Sequence, residues 1–381
     1  MSAGVRGGPS ALAPGARAPR ARLALALGGG AARGLAHIGV IEVLEREGLA
    51  VDFIAGSSMG GLIGASSSTG LKAREIAEAA RSFRFPRWFL PGGLMRWDSL
   101  FPSIARLLPG TFEELATPLA VTAVDLEEGT QVILHSGPLR PAVQATCAVP
   151  GVLPPVRLDG RWLVDGGVAN VLPMDVAWMA EPDIVVAVRV GAPRSRRIPQ
   201  LQWRLTSFLS RLGGIVPNPA TAKVSFEIVT RAAEILLERQ TALVAAMAGP
   251  EILIEPELGD MGLRDLNRLE EALRAGRRAA EAALPEILRL LESPPRRPRS
   301  GERSLSLYFD PVCAMVVNPA RARANLTHDG VLYYFCSPNC LDCFAREPGR
   351  YLRVAGLAFA PKRTIPLGPR RSSAGTKEAA P

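Results

Sequence analysis

The chain has 381 residues, too many for one small core and enough for a large α/β domain with an added module. Its 48% hydrophobic content suits a globular interior, and no stretch approaches the ~18 unbroken apolar residues that mark a membrane-spanning helix. The net charge of +9 would suit an anionic lipid surface, a nucleic acid or an ordinary arginine-rich solvated face, so it selects no partner; no nucleic-acid partner is expected.

Residues 1–20 combine arginine, glycine and proline without an apolar run of signal-peptide length, and read as a disordered arm. A cytoplasmic location follows as an expectation, with peripheral contact to an anionic membrane. The first strand is expected over 22–27, ending at Gly28-Gly29-Gly30, with a helix over 33–47 whose apolar face carries Leu35, Ile38, Val40, Ile41 and Leu44. Three glycines before a helix present backbone N–H groups, and the helix dipole adds attraction for negative charge. A dinucleotide site is disfavoured: the third glycine of that fingerprint would fall on Arg33, and the acidic residue available, Asp52, precedes its strand.

A second strand over 51–55 runs into Gly56-Ser57-Ser58-Met59-Gly60, and a helix over 59–69 follows. G-x-S-x-G between a strand and a helix is the nucleophile-elbow pattern, in which the turn lifts a serine hydroxyl above the sheet edge at a helix N-terminus. A helix over 72–83 comes next, then the aromatic, proline-broken stretch Phe85–Pro91, which reads equally as a lid or as a buried connection. Strands are expected over 119–125, 130–134 and 161–164. The last ends at Asp165-Gly166-Gly167, where a carboxylate could take the serine proton directly. Alone, Asp-Gly-Gly would read as a simple turn. A helix over 173–180, a strand over 184–190, a helix over 222–248, a late strand at Ile252–Glu255 and a helix over 265–291 complete an alternation that predicts a mostly parallel sheet covered on both faces.

The chain has three histidines, His37, His135 and His328. His37 lies among apolar residues, His135 in a turn and His328 in a distant segment. A Ser-His-Asp triad is therefore disfavoured against an aspartate acting alone.

The glycine loop, the Ser58 elbow and the Asp165 turn, in this order, resemble the patatin-like phospholipases. So do Val121–Leu126, His135-Ser136-Gly137, Cys147-Ala148-Val149-Pro150-Gly151 and Pro154-Pro155-Val156, which look like the bacterial branch of that family. The resemblance implies a three-layer α/β fold over residues 21–291, serine lipid acyl hydrolysis without a cofactor, and a lipid ester substrate. It makes Ser58 the nucleophile and Asp165 its dyad partner, with Gly28, Gly29, Gly30 and Met59 around the oxyanion. Many members carry a fourth glycine where this chain has Ala31. The added methyl group is expected to be harmless unless that position needs a positive φ.

Residues 292–304, rich in proline and arginine, read as a linker, and 356–381 as a disordered tail. Between them, in 305–355, Cys313, Cys336 and Cys340 are spaced C-x22-C-x3-C, with Cys343 one helical turn further on. With Asp310-Pro311-Val312 and Tyr333–Cys336 this resembles the YHS domain, a small metal-binding module, although Ala314 stands where glycine is usual. The resemblance implies zinc or copper on Cys313, Cys336 and Cys340, with Cys343 and His328 as further candidates. Cysteines buried as plain core residues are the competing reading. The tail motivates a different overall function as well, a metal- or redox-responsive regulator that uses the hydrolase fold as a scaffold.

Overall fold

A computed structural model of the chain describes residues 20–83, 97–191 and 250–294, most of 308–352 and scattered residues within 232–244. The Phe85–Pro91 stretch, Cys313, Cys336 and nearly all of the two terminal segments and the linker lie outside the described residues, as does most of the helix expected over 222–248.

Strand β1 (Leu23–Leu27) alternates leucine and alanine, and the pleat sends the two kinds to opposite faces. After a 3₁₀ turn (Ala31–Leu35), helix α1 covers Ala36–Arg46, so the helix expected from residue 33 starts three residues later, behind a tighter turn. Strand β2 (Phe53–Ser57), helices α2 (Met59–Ser68) and α3 (Ala73–Ala80), and the short helices α4 (Trp97–Leu100) and α5 (Ile104–Leu107) follow. Next come β3 (Leu119–Asp125), β4 (Thr130–Leu134), α6 (Leu139–Thr146), β5 (Val156–Leu158), β6 (Arg161–Asp165), α7 (Met174–Met179), β7 (Ile184–Val188), β8 (Ile252–Ile254) and α8 (Leu269–Glu292).

The sheet runs β5-β6-β3-β2-β1-β7-β8, with β4 also on β3. Strands β3, β2, β1, β7 and β8 are mutually parallel, while β4, β5 and β6 join antiparallel. This is the mostly parallel α/β sheet that the alternation predicts, with an antiparallel margin. Leu23, Leu25, Leu27, Ile54, Val186 and Val188 share one core with α1, α2 and α8. Ala24, Ala26, Ala55, Ala120 and Ala187 share the other with Met174, Val176 and Ala177 of α7. Small residues on that face let α7 approach closely, and each fully buried leucine opposite contributes roughly 1.5–3 kcal/mol.

Helix α8 packs along α1 with buried Leu269, Ala272, Leu273, Gly276 and Ala280 at three- and four-residue spacing. The two backbones nearly touch: a Cβ on Gly276 would lie 2.0 Å from the Ala36 carbonyl oxygen, and one on Gly39 2.2 Å from that of Leu273.

The C-terminal segment pairs β9 (Tyr308–Phe309) with β10 (Val316–Val317) and β11 (Ala324–His328) with β12 (Val331–Phe335), then forms α9 (Pro338–Arg346) and α10 (Pro348–Leu352). Its core is Val312, Tyr333, Phe335, Cys340, Phe344 and Tyr351. The Tyr351 hydroxyl donates to Glu128 Oε2 in the β3–β4 turn at 2.7 Å.

Candidate active site

Ser58 stands between β2 and α2 with φ 54° and ψ −125°, a backbone region that side chains other than glycine's avoid. The elbow closes because both flanking glycines are in close contact. A Cβ on Gly60 would lie 2.2 Å from the Leu27 carbonyl oxygen, and one on Gly56 2.6 Å from the Gly61 Cα. Ser58 occupies the N-cap position of α2 but gives the helix no side-chain cap. Its hydroxyl donates instead to Asp165 Oδ2 at 2.5 Å, across 107 residues of sequence.

Asp165 reaches the serine because β6 lies antiparallel to β3, with Asp165 opposite Ala123, while β3 runs parallel to β2. The second carboxylate oxygen, Oδ1, accepts the Gly167 amide at 2.7 Å, which fixes the plane of the group. Ser58 and Asp165 are buried, 8% and 4% exposed. Burial pushes the Asp165 carboxyl up to about 6, partly offset by the hydrogen bonds from Ser58 and Gly167.

No histidine is bonded to the pair among the described residues. His37 is fully buried and its Nε2 sits 2.7 Å from the Gly28 carbonyl oxygen. Burial lowers its pKa to about 4, so the ring is neutral and serves as a donor that holds the glycine loop. His135 lies by Glu113 and His328 stacks edge-on against Phe344.

The glycine loop corrects the expected set of oxyanion donors. The Gly28 amide donates to the Val188 carbonyl at 3.1 Å and the Gly29 amide to that of Val171 at 2.7 Å. The first hydrogen extends the β1–β7 pairing and the second ties the loop to the turn that follows Asp165, so both are already taken. The Gly30, Ala31 and Met59 amides have no hydrogen-bond partner among the described residues. Gly29 still lines the site, since a Cβ there would lie 3.2 Å from that of Ser58. Ala31 has φ 48°, in the left-handed region, so the exception attached to the added methyl group is the case that applies here.

Sequence reasoning missed three supporting residues. The Ser58 amide donates to Thr146 Oγ1 at 2.9 Å, which ties the elbow to the end of α6. Asn170 Nδ2 donates to Asp175 Oδ1 at 2.7 Å behind the Asp165 turn. Thr146 adjoins the Cys147–Gly151 motif, the one signal in the sequence that pointed near it. Cys147 itself is buried, donates to the Ser58 carbonyl at 3.3 Å and keeps its proton, because burial raises its pKa.

Of the four thiols expected around a metal, Cys340 is buried in the module's core and Cys343 lies half-buried one turn along α9. Burial, with Glu128 and Cys340 nearby, raises the Cys343 thiol. Among the described residues no group of three or more histidine, cysteine or acidic side chains is arranged to hold a metal.

Residues 25–178 match the family model for patatin-like phospholipase, and residues 308–355 match that for the YHS domain. The chain carries a patatin-like phospholipase domain and a YHS domain. An uncharacterized NTE family protein of Mycobacterium tuberculosis (strain ATCC 25618 / H37Rv) is 38% identical over 178 residues, 45% of this chain and 49% of the relative. A second NTE family protein of that strain is 30% identical over 295 residues, 70% of this chain and 48% of the relative. Patatin-like phospholipase domain-containing protein 6 of Mus musculus is 37% identical over 183 residues, 45% of this chain and 14% of that protein. The chain thus spans about half the length of the two bacterial relatives.

Proposed function

We propose that the chain is a serine lipid acyl hydrolase, a phospholipase or esterase, with Ser58 as nucleophile and Asp165 as its general base. The observation that carries this reading is the 2.5 Å hydrogen bond from Ser58 Oγ to Asp165 Oδ2 on a strained elbow at a helix N-terminus. In the proposed reaction Asp165 accepts the hydroxyl proton as Oγ attacks an ester carbonyl. The Gly30, Ala31 and Met59 amides and the α2 dipole receive the developing negative charge, a contribution on the order of several kcal/mol to lowering the barrier. The proton then passes to the leaving alcohol, and water activated by Asp165 hydrolyses the Ser58 ester. The lipid class of the substrate rests on the family.

A fluorophosphonate probe followed by peptide mapping tests the reading. Wild-type protein is expected to carry the label on Ser58, and Ser58→Ala to lose both label and ester turnover with its melting temperature unchanged. Substantial turnover by Ser58→Ala would exclude the mechanism. The hydrogen-bonded pair counts against a pure scaffold, which has no use for a buried carboxyl aimed at a strained serine.

For the C-terminal module we propose metal binding through Cys313, Cys336 and Cys340, with Cys343 as a further candidate donor. Two thiols one turn apart on α9 and the YHS match support it. Thiolates suit zinc or copper(I), which would add folding free energy to a small core.

A further inference from the structure

Asn170 and Asp175 take no chemical part in the reaction proposed above, although both are buried, 3% and 4% exposed. An amide and a carboxyl group enclosed in a core are costly unless each satisfies the other, and an apolar pair would bury the same surface at less risk. Their placement gives the reason. The turn that begins at Asp165 runs through Gly166, whose carbonyl accepts the Asn170 amide at 2.8 Å, and on to Val171, whose carbonyl accepts the Gly29 amide at 2.7 Å. One short segment therefore holds the carboxylate at one end and the glycine loop at the other, on two walls around Ser58. The segment is fastened beside its Val171 end by the 2.7 Å bond from Asn170 Nδ2 to Asp175 Oδ1. Asp175 lies in the first turn of α7, whose neighbouring Met174, Val176 and Ala177 are locked in the core against β1 and β7.

We infer that Asn170 and Asp175 are a positioning pair for the proposed hydrolysis, fixing the 166–171 turn to α7 so that Asp165 and the glycine loop keep a common distance from Ser58. The inference rests on the Ser58–Asp165 reading. An attack geometry loosened by about 1 Å loses on the order of a hundredfold in rate, whereas substrate affinity need not change.

The test uses the full chain and p-nitrophenyl butyrate, with kcat, KM, melting temperature and the rate of fluorophosphonate labelling at Ser58 measured on each variant. Asp175→Ala is expected to lower kcat and the labelling rate by about a hundredfold while KM stays within about twofold. Asp175→Asn, whose carbonyl still accepts from Asn170, is expected to retain most of the activity, and so is the exchange Asn170→Asp with Asp175→Asn. If Asp175→Ala does not fold, Asn170→Ala takes its place with the same expected loss. Wild-type kcat in a folded Asp175→Ala or Asn170→Ala overturns the pair, and so does an Asp175→Asn variant as impaired as the alanine. Wild-type protein with neither turnover nor label on Ser58 overturns the hydrolase reading and takes the pair with it. Labelled, active wild type beside unaffected variants overturns the pair alone.

Discussion

Asp165 is a carboxyl group whose burial works against its own ionisation. As the proposed base it must be anionic, and its carboxyl is pushed up to about 6. Turnover is therefore expected to be flat above that pH and to fall about tenfold per unit below it, read from kcat/KM across a buffer series. Asp175 is also raised to about 6 by burial, so the same profile in Asp175→Asn would assign the inflection to Asp165. The sign for stability is opposite. The folded state holds the Asp165 proton more tightly than the unfolded chain, where an aspartate titrates near its ordinary 3.8, so its stabilising contribution is full below that pH and lost as pH rises through about 6. Asp165→Asn is expected to abolish turnover and to gain on the order of 2 kcal/mol at pH 7, with the gain vanishing at pH 4 in matched thermal melts. At Ala31, with φ 48°, glycine relieves the left-handed strain, and Ala31→Gly is expected to gain roughly 1 kcal/mol by urea titration. Ser58 and Asp165 were legible in the sequence because each sits in a short motif with a chemical reason for its neighbours. Asn170–Asp175 and Thr146 were not, since their meaning is a contact made in space. The glycine loop was half legible: glycines mark it, but which of its amides are already taken depends on the Val171 and Val188 carbonyls.

Elements were legible where periodicity was strong and indistinct where it was short. The Leu-Ala alternation of β1 and the apolar runs of β3 and β7 identified themselves. Helix α6 went unread because Pro141 and a length of eight residues give it little signature. The α1–α8 crossing could not be read at all, because nothing in Gly39 or Gly276 alone announces a partner 237 positions away. That crossing is the most sensitive joint between elements. A methyl group on Gly276 would need the space of the Ala36 carbonyl oxygen, so Gly276→Ala is expected to destabilise by roughly 3 kcal/mol. Arg274→Ala, on the exposed side of the same helix, is the control. Denaturation midpoints of the two variants check the contrast. The salt bridges along the crossing, Arg277 to Glu42 at 2.7 Å and Arg46 to Glu281 at 3.0 Å, are half-buried and exposed respectively, and both lie within reach of solvent that weakens them.

For the whole molecule, the α/β domain and the small module meet where Tyr351 donates to Glu128. Among the described residues the buried core of that module is small, and a bound metal would be a large share of its stability. Purified protein is expected to hold zinc or copper in stoichiometric amount by elemental analysis, and chelation to melt the module at lower temperature. Metal-free protein with an unchanged melt after chelation would refute the assignment. The core of the α/β domain reaches well past residue 178, where the family match ends, because α8 closes the side of the sheet on which α1 lies. A ribosome making this protein would thus release Ser58 and Asp165 long before the last helix that seals their domain. Until then the side of α1 that carries Gly39 stays wet, and the newborn chain needs either speed or a chaperone to cross that interval.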